Sequence, residues 1–486
     1  MKRESSLWHE TTHIAGRERL NGDLRADVAV IGAGLAGVLI ADRLQSAGVR
    51  TVVLEARQIG SGQTGNTTAK ITSQHDLIYD RLIQTLGRER ARQYAEANQL
   101  AVEAYAAMVE EREIVCAFRR APAYLYAEND DAALLREAEA AVSLGIDARF
   151  VRDTELPFPV AGAVCFEGQA CFHPLRFLEA VSGPLTIYGD TPALSVEGGV
   201  IRTPRGTVTA DSVVFATHFP FVNVPGWYFM RMHQERSYVL ALESGWTPEG
   251  MYYGVEREGL SFRSAEGLLL LGGGNHRTGE NSQGGRYQTL EERAKTLFPC
   301  CGVKTRWSAQ DCMTLDGMPY IGQYAESQPN WYAATGFGKW GMTSAMVSAM
   351  LIAGEITGNR PAWAEVFSPE RFRLSASARN LATETAQAVK GLFREAVALP
   401  TATLAQLPRG HGGIVEAEGR KVGVYKDDAG HCHVVNPRCP HLGCQLEWNP
   451  DEKTWDCPCH GSRFSYDGAL LDNPAQTDLE RVRAEE

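Results

Sequence analysis

The sequence predicts an α/β unit joined to an antiparallel β-sheet, followed by a small all-β module. Three observations predict it. Residues 27–55 run strand, Gly-rich turn, helix, strand. The middle third reads as short strands parted by turn residues, as in "GGVIRTPRGTVTADSVVFATH" (198–218). Near residue 407, "LPRGHGG" interrupts the chain, and about eighty residues of short strands with Gly, Pro and Asp turns follow. A chain of 486 residues is too long for one ordinary core. The expected divisions are 1–374, a linker at 375–404, and 405–486.

Composition narrows the function. Apolar residues make up 44% and charged residues 22%, as in soluble globular proteins. A net charge of −11 argues against nucleic acid or an anionic membrane as partner. "MKRESSLWHE" has no apolar core of a secretory signal. "AMVSAMLIAGEI" (345–356) is too short for a membrane span and holds a Glu. The expectation is a soluble, cytoplasmic protein. Of 11 cysteines, seven are scattered between Cys116 and Cys432, which is no secreted disulfide framework. Cys439, Cys444, Cys457 and Cys459 cluster near the end.

The elements follow in order. "DVAVIGAGLAG" (27–37) leads a helix to Gly48, and "TVVLEA" (51–56) is the next strand. A Gly/Thr loop spans 60–72. Helical stretches rich in Ala, Glu and Arg cover about 77–111 and 131–144. "NWYAATGFGKWGMTSAMVSAMLIAG" (330–354) reads as strand, Gly turn and helix. In the Ala-rich stretch 375–400, Val389, Leu392, Phe393 and Val397 fall at helical spacing, which predicts a connecting helix.

Gly32, Gly34 and Gly37 form a G-x-G-x-x-G turn between strand and helix. The first glycine permits the tight turn, and the second lets backbone approach a pyrophosphate. The third lets helix and strand pack closely, with the pyrophosphate at the helix N-terminus. Glu55 ends the second strand, where an acidic residue meets a ribose hydroxyl. This is a Rossmann-like dinucleotide site. The fingerprint alone leaves FAD and NAD open, although it occurs once and early in the chain.

These features, with "GSGQTGNTTAKIT" (60–72), "TVTADSVVFATH" (207–218), "DGMPYIG" (316–322) and "ATGFGKWGMT" (334–343), resemble the D-amino-acid oxidase-like family of FAD-dependent oxidoreductases over about residues 25–370. The resemblance implies a FAD-binding domain with an antiparallel substrate sheet. It implies FAD contacts from Gly32, Gly34, Gly37, Glu55, Ala56 and Arg57. Gly62, Thr67 and Thr68 would lie along the pyrophosphate and flavin, Ala193 near the adenine, and Thr217 at the same site. Gly338, Lys339, Trp340, Gly341, Met342 and Thr343 would cap the flavin ring at a helix N-terminus, whose positive end suits charge on a reduced flavin.

The tail holds "CPHLGC" (439–444) and "CPCHGS" (457–462). Cys439-x-His441 and Cys457-x-x-His460 each offer one thiolate and one imidazole. Tetrahedral zinc takes such a set; so does a two-iron cluster with two His on one iron. The whole frame resembles the Rieske 2Fe–2S domain over about 405–486. The resemblance implies Cys439, His441, Cys457 and His460 as iron ligands and a Cys444–Cys459 disulfide tying the loops. Ser462 stands where high-potential relatives place a donor to sulfur, whereas Phe464 replaces their tyrosine donor. The expected potential is therefore mid-range in a class spanning about −150 to +300 mV.

Other signals carry less. "HETTH" (9–13) spells a zincin pattern but lacks an amphipathic helix and a third ligand. His431 and His433 flank Cys432 outside the ligand frame, and Cys300 and Cys301 read as free thiols. No 2-His-1-carboxylate set is evident.

A flavin takes two electrons at once, while a 2Fe–2S cluster takes one at a time. Their union predicts an oxidoreductase acting on an amine or amino acid, handing electrons singly to an external carrier. The alternatives are a reductase fed through the cluster by a ferredoxin-like donor, and a redox sensor without turnover. Tyr252, Tyr253, Arg263 and His276 are the substrate-pocket candidates, Arg263 as a bidentate carboxylate clamp. No catalytic base is assigned.

Overall fold

The computed structural model describes residues 3–371, 406–417 and 419–482. The expected linker helix at 375–404 lies outside the described residues. Among them, no helix is long and apolar enough to cross a membrane.

Two large sheets organise the first part. One has parallel strands at its centre: Thr51–Leu54, Leu24–Ile31 and Gly206–Phe215 lie side by side. Gln328–Thr335 runs parallel to the last of these. Leu24–Ile31 is buried over most of its length, as a strand covered on both faces should be. The helices Leu35–Ser46 and Gly341–Ile356 pack together against it, and both are buried nearly all round. The expected helical stretch 77–111 is two helices, Tyr79–Leu86 and Arg88–Glu111, divided at Gly87.

The other sheet has nine strands and is mainly antiparallel. Its long members are Gly302–Thr314, Met232–Glu243 and Leu268–Arg277. The edge strand Arg3–Glu4 pairs with Gly302–Thr314. The short helix Leu7–Thr11 follows, capped by the Ser6 side chain, with Trp8 buried. The HETTH stretch is structural: the Thr11 and Thr12 hydroxyls lie 2.9 and 3.3 Å from His173 Nε2, and the Trp8 indole just before it donates to Thr67 O at 2.6 Å.

The last part is all β. One sheet joins His411–Ala417, Arg420–Lys426 and Cys432–Val435, and another joins Glu447–Asn449, Thr454–Asp456, Arg463–Ser465 and Leu470–Asp472. Trp448, Trp455, Phe464 and Leu446 fill its core. This module sits against the nine-stranded sheet through buried polar contacts. Glu452 pairs with Arg236 and accepts from Ser308 Oγ at 2.5 Å. Asn281 donates to Asp451 at 2.9 Å, and Gln310 donates to Gly461 O at 2.9 Å.

Candidate functional site

The fingerprint folds as its spacing requires. Gly32 has φ +106°, and a Cβ there would lie 2.4 Å from Ala216 O. A Cβ on Gly37 would lie 1.9 Å from Gly32 O, so only glycine allows the helix to approach. Glu55 accepts from Ala33 N at 2.8 Å and from Arg57 N at 2.9 Å, which fixes its carboxylate at the end of the second strand. A cavity of 530 Å³ opens beside this turn and runs to the loop before Gly341–Ile356.

Gly32, Gly34, Glu55, Ala56, Arg57, Gly62, Thr67, Thr68, Ala193, Thr217, Lys339, Trp340, Gly341 and Met342 all line this one cavity. Three expected residues act from behind its wall. Gly37 works through close packing. Gly338 donates to Cys312 O at 3.0 Å. The Thr343 hydroxyl lies 3.0 Å from His75 Nε2 and donates to Thr72 O at 3.1 Å. The glycine cradle, the helix N-terminus and Glu55 fit a dinucleotide cofactor.

The pocket candidates are placed differently from expectation. Tyr252 is fully buried, and its hydroxyl bonds Glu155 at 2.9 Å on the far face of the strand. Its neighbour Tyr253 lines the cavity. The Arg263 guanidinium is spent on backbone, donating to Thr68 O at 2.8 Å and Ala69 O at 2.6 Å, so it cannot clamp a substrate carboxylate. His276 stacks on the Tyr238 ring at 5.7 Å and does not line the cavity.

Sequence reasoning named Lys339 but missed the two carboxylates beside it. Glu235 and Asp311 face each other across paired strands, and Lys339 Nζ lies 3.0 Å from Glu235. Burial pushes the Asp311 carboxyl up to about 6. Burial works against the Glu235 charge too, but hydrogen bonds from His233 and Lys339 hold it at about 2. Burial also opposes the Lys339 charge, yet Tyr253, Glu235 and Asp311 hold it above the ordinary lysine range. Lys70, also on the cavity wall, donates to Tyr252 O at 2.7 Å, and burial pushes it down to about 7.

The second site lies in the all-β module. Cys439, His441, Cys457 and His460 come together on two loops built alike. Gly443 N donates to Cys439 O and Gly461 N to Cys457 O, both at 2.9 Å, and both glycines have positive φ. Cys444 and Cys459 are disulfide-bonded, joining the loops. The Nδ1 atoms of His441 and His460 are buried without a hydrogen-bond partner. Their rings stand perpendicular with centroids 5.0 Å apart. Burial holds His441 at about 4 and His460 at about 3, so both are neutral, the form that binds metal. The hydrogen bond to Cys457, then backbone N–H groups and Ser462, bring Cys439 down to about 7 against burial. Two thiols and two orphaned imidazole nitrogens fit a 2Fe–2S centre. Ser462 is fully buried, and its oxygen accepts from Ala475 N at 3.0 Å. His431 and Cys432 are exposed and stand apart from the ligand set.

The two sites share a boundary. Ala216, Thr217, His218 and Phe221 line the cavity. Two residues on, Asn223 Oδ1 accepts from His441 Nε2 at 2.9 Å. The Phe229 ring lies edge-on to His460 at 5.6 Å. No motif marks Asn223, so sequence could not find it.

Comparison with known proteins agrees with both sites. Residues 27–355 match the FAD dependent oxidoreductase family and residues 398–483 the Rieske [2Fe-2S] domain. The Rieske 2Fe-2S iron-sulfur protein YhfW of Bacillus subtilis (strain 168) is 35% identical over 494 residues, spanning 98% of this chain and 97% of that protein. Gamma-glutamylputrescine oxidoreductase of Escherichia coli (strain K12) is 24% identical over 70% of this chain and 86% of its own. The crystal structure of glycine oxidase from Geobacillus kaustophilus superposes with a TM-score of 0.61 at 18% identity, over 72% of this chain and 100% of that one. The chain belongs to the D-amino-acid oxidase-like family of FAD-dependent oxidoreductases and carries a Rieske 2Fe–2S domain at its C-terminal end.

Proposed function

We propose that the protein oxidises a small amine or amino acid at its flavin site and passes the electrons singly through its own Rieske cluster to an external carrier. One observation carries the electron route. A single stretch, residues 216–223, forms cavity wall at one end and at the other bonds His441, the histidine we propose as an iron ligand. Bound FAD would supply hydride acceptance, and the cluster would supply one-electron storage.

The chain's own residues do the rest. Asn223 orients the His441 ring, so that Nε2–H is held on the flavin domain and the buried Nδ1 is left without a hydrogen-bond partner. Asp311 lines the cavity beside Lys339, and Glu235 behind the wall pairs with the Lys339 ammonium at 3.0 Å, which leaves the Asp311 carboxylate to attract a cationic amine. Tyr253 stands edge-on to Trp340 at 5.4 Å, and both rings line the cavity. The substrate class is also supported by the names of the relatives, which act on a putrescine derivative and on glycine.

The test is to purify the protein without oxygen and to follow visible and EPR spectra while adding glycine, L-proline, sarcosine and γ-glutamylputrescine. Flavin bleaching followed by a Rieske-type EPR signal is the expected result. Bleaching without that signal removes the cluster from the route. No bleaching with any amine, but reduction by a ferredoxin, supports flow in the opposite direction.

A further inference from the structure

The flavin cavity is not closed by the flavoprotein part alone. Leu470, Leu471, Asp472, Asn473, Ala475 and Gln476, all from the iron–sulfur module, line it together with the fingerprint residues. This wall is bolted down on the flavin side. Asn473 Nδ2 donates to Thr217 O at 2.8 Å and to Phe219 O at 2.7 Å, and Asp472 accepts from Gln63 Nε2 at 3.1 Å. Thr217 and Gln63 are themselves cavity residues. The wall is bolted on the cluster side too. Ala475 N donates to Ser462, whose hydroxyl lies beside the Cys439 sulfur, and Gln234 Nε2 bridges Asn473 O at 3.0 Å and His460 O at 2.7 Å.

We propose that the segment Leu470–Gln476 of the iron–sulfur module is part of the FAD-binding site and retains the cofactor, so that release of FAD requires this wall to lift. The inference concerns cofactor retention and is independent of the substrate and of the direction of electron flow. Its physical basis is that a ligand enclosed by two covalently continuous walls leaves only when one opens, and opening here breaks at least the Asn473 and Asp472 bonds. The same segment touches the cluster loops. Flavin retention and cluster-loop order are therefore tied through one strand end.

The experiment uses the full-length protein carrying FAD and cluster. The rate of FAD release, read as the rise of flavin fluorescence on dilution, is compared in wild type, in the double variant Asp472→Ala/Asn473→Ala, and in Asn281→Ala. Asn281 bonds Asp451 at the same module interface but does not line the cavity. The proposal expects release at least about tenfold faster in the double variant, with its Rieske EPR signal kept, and an unchanged rate in Asn281→Ala. Release within twofold of wild type in the double variant overturns it, as does equal acceleration in Asn281→Ala, which would make general undocking the cause. Hydrogen exchange on wild type before and after FAD removal gives a reading free of variants. Faster exchange at 470–476 in the stripped protein is expected, and unchanged exchange there overturns the proposal.

Discussion

Asn223 Oδ1 and His441 Nε2 lie 2.9 Å apart, across the boundary between the flavin domain and the iron–sulfur module. The histidine we propose as an iron ligand is thus oriented by a residue of the neighbouring domain. An acceptor on the far nitrogen makes an imidazole a stronger donor to its metal. Asn223→Ala should raise the midpoint potential of the cluster and slow its reduction by about 10- to 100-fold. EPR-monitored redox titration and anaerobic stopped-flow check the two effects. A potential and a rate equal to wild type would remove Asn223 from the circuit.

The serine and phenylalanine flanking the second loop set a further test. Ser462 lies beside the Cys439 sulfur, whereas the fully buried Phe464 has no donor to give. A hydrogen bond to sulfur favours the reduced, more negative cluster. Ser462→Ala should lower the potential, and Phe464→Tyr should raise it toward the top of the range of about −150 to +300 mV. Titration of the two variants beside wild type decides it.

Glu452 sits buried between Arg236 and Arg463. Burial opposes its charge, but these two guanidiniums hold it at about 2. A carboxylate depressed in the folded state stabilises above its unfolded value, about 4.3, and loses that contribution as pH falls toward 2. Glu452→Gln leaves the buried Arg236 guanidinium without a carboxylate, while Arg463 keeps Asp456 and Asp472, and should cost about 3–5 kcal/mol at neutral pH. Denaturant unfolding at several pH values checks both parts: wild type should weaken between pH 4.5 and 2, and the gap to Glu452→Gln should narrow there.

Asp311 gives a pH signature in the opposite sense. Burial pushes its carboxyl up to about 6, so it is neutral below that pH and charged above it. Its charge appears beside the cavity as pH rises through 6. The visible spectrum of the bound flavin should shift over that interval, and amine-driven bleaching should quicken. Asp311→Asn should flatten both profiles. A spectral step near pH 6 that survives the substitution would assign it to another group.

Much of this was legible in the sequence where chemistry demands residue types at fixed short spacing. Gly32, Gly34, Gly37 and Glu55 could be placed because one turn and one helix start need them. The two cluster loops could be picked out because each carries a cysteine and a histidine within four residues. The side chains of the substrate end could not. Tyr252 and Tyr253 are neighbours on a strand, and only the register of the sheet decides which faces the cavity. Arg263 carries a charge suited to a ligand, yet the chain fold turns it onto the carbonyls of residues 68 and 69. Asp311 and Glu235 meet only through the long pairing of Gly302–Thr314 with Met232–Glu243. Asn223 sits in a loop with no pattern at all.

The N-terminal helix also bears on how the protein is made. Trp8 reaches Thr67 on the cavity loop, and Ser5 bonds Thr305, 300 residues further along. Residues of Leu470–Gln476 line the same cavity as Thr67. The ribosome must therefore deliver almost the entire polypeptide before the cofactor chamber can shut. At about 5–20 residues per second, Ser5 waits many seconds for Thr305. Contacts so distant in sequence make closure a late, slow event. A nascent chain stalled before residue 470 would hold a Rossmann fold with an open flavin cleft.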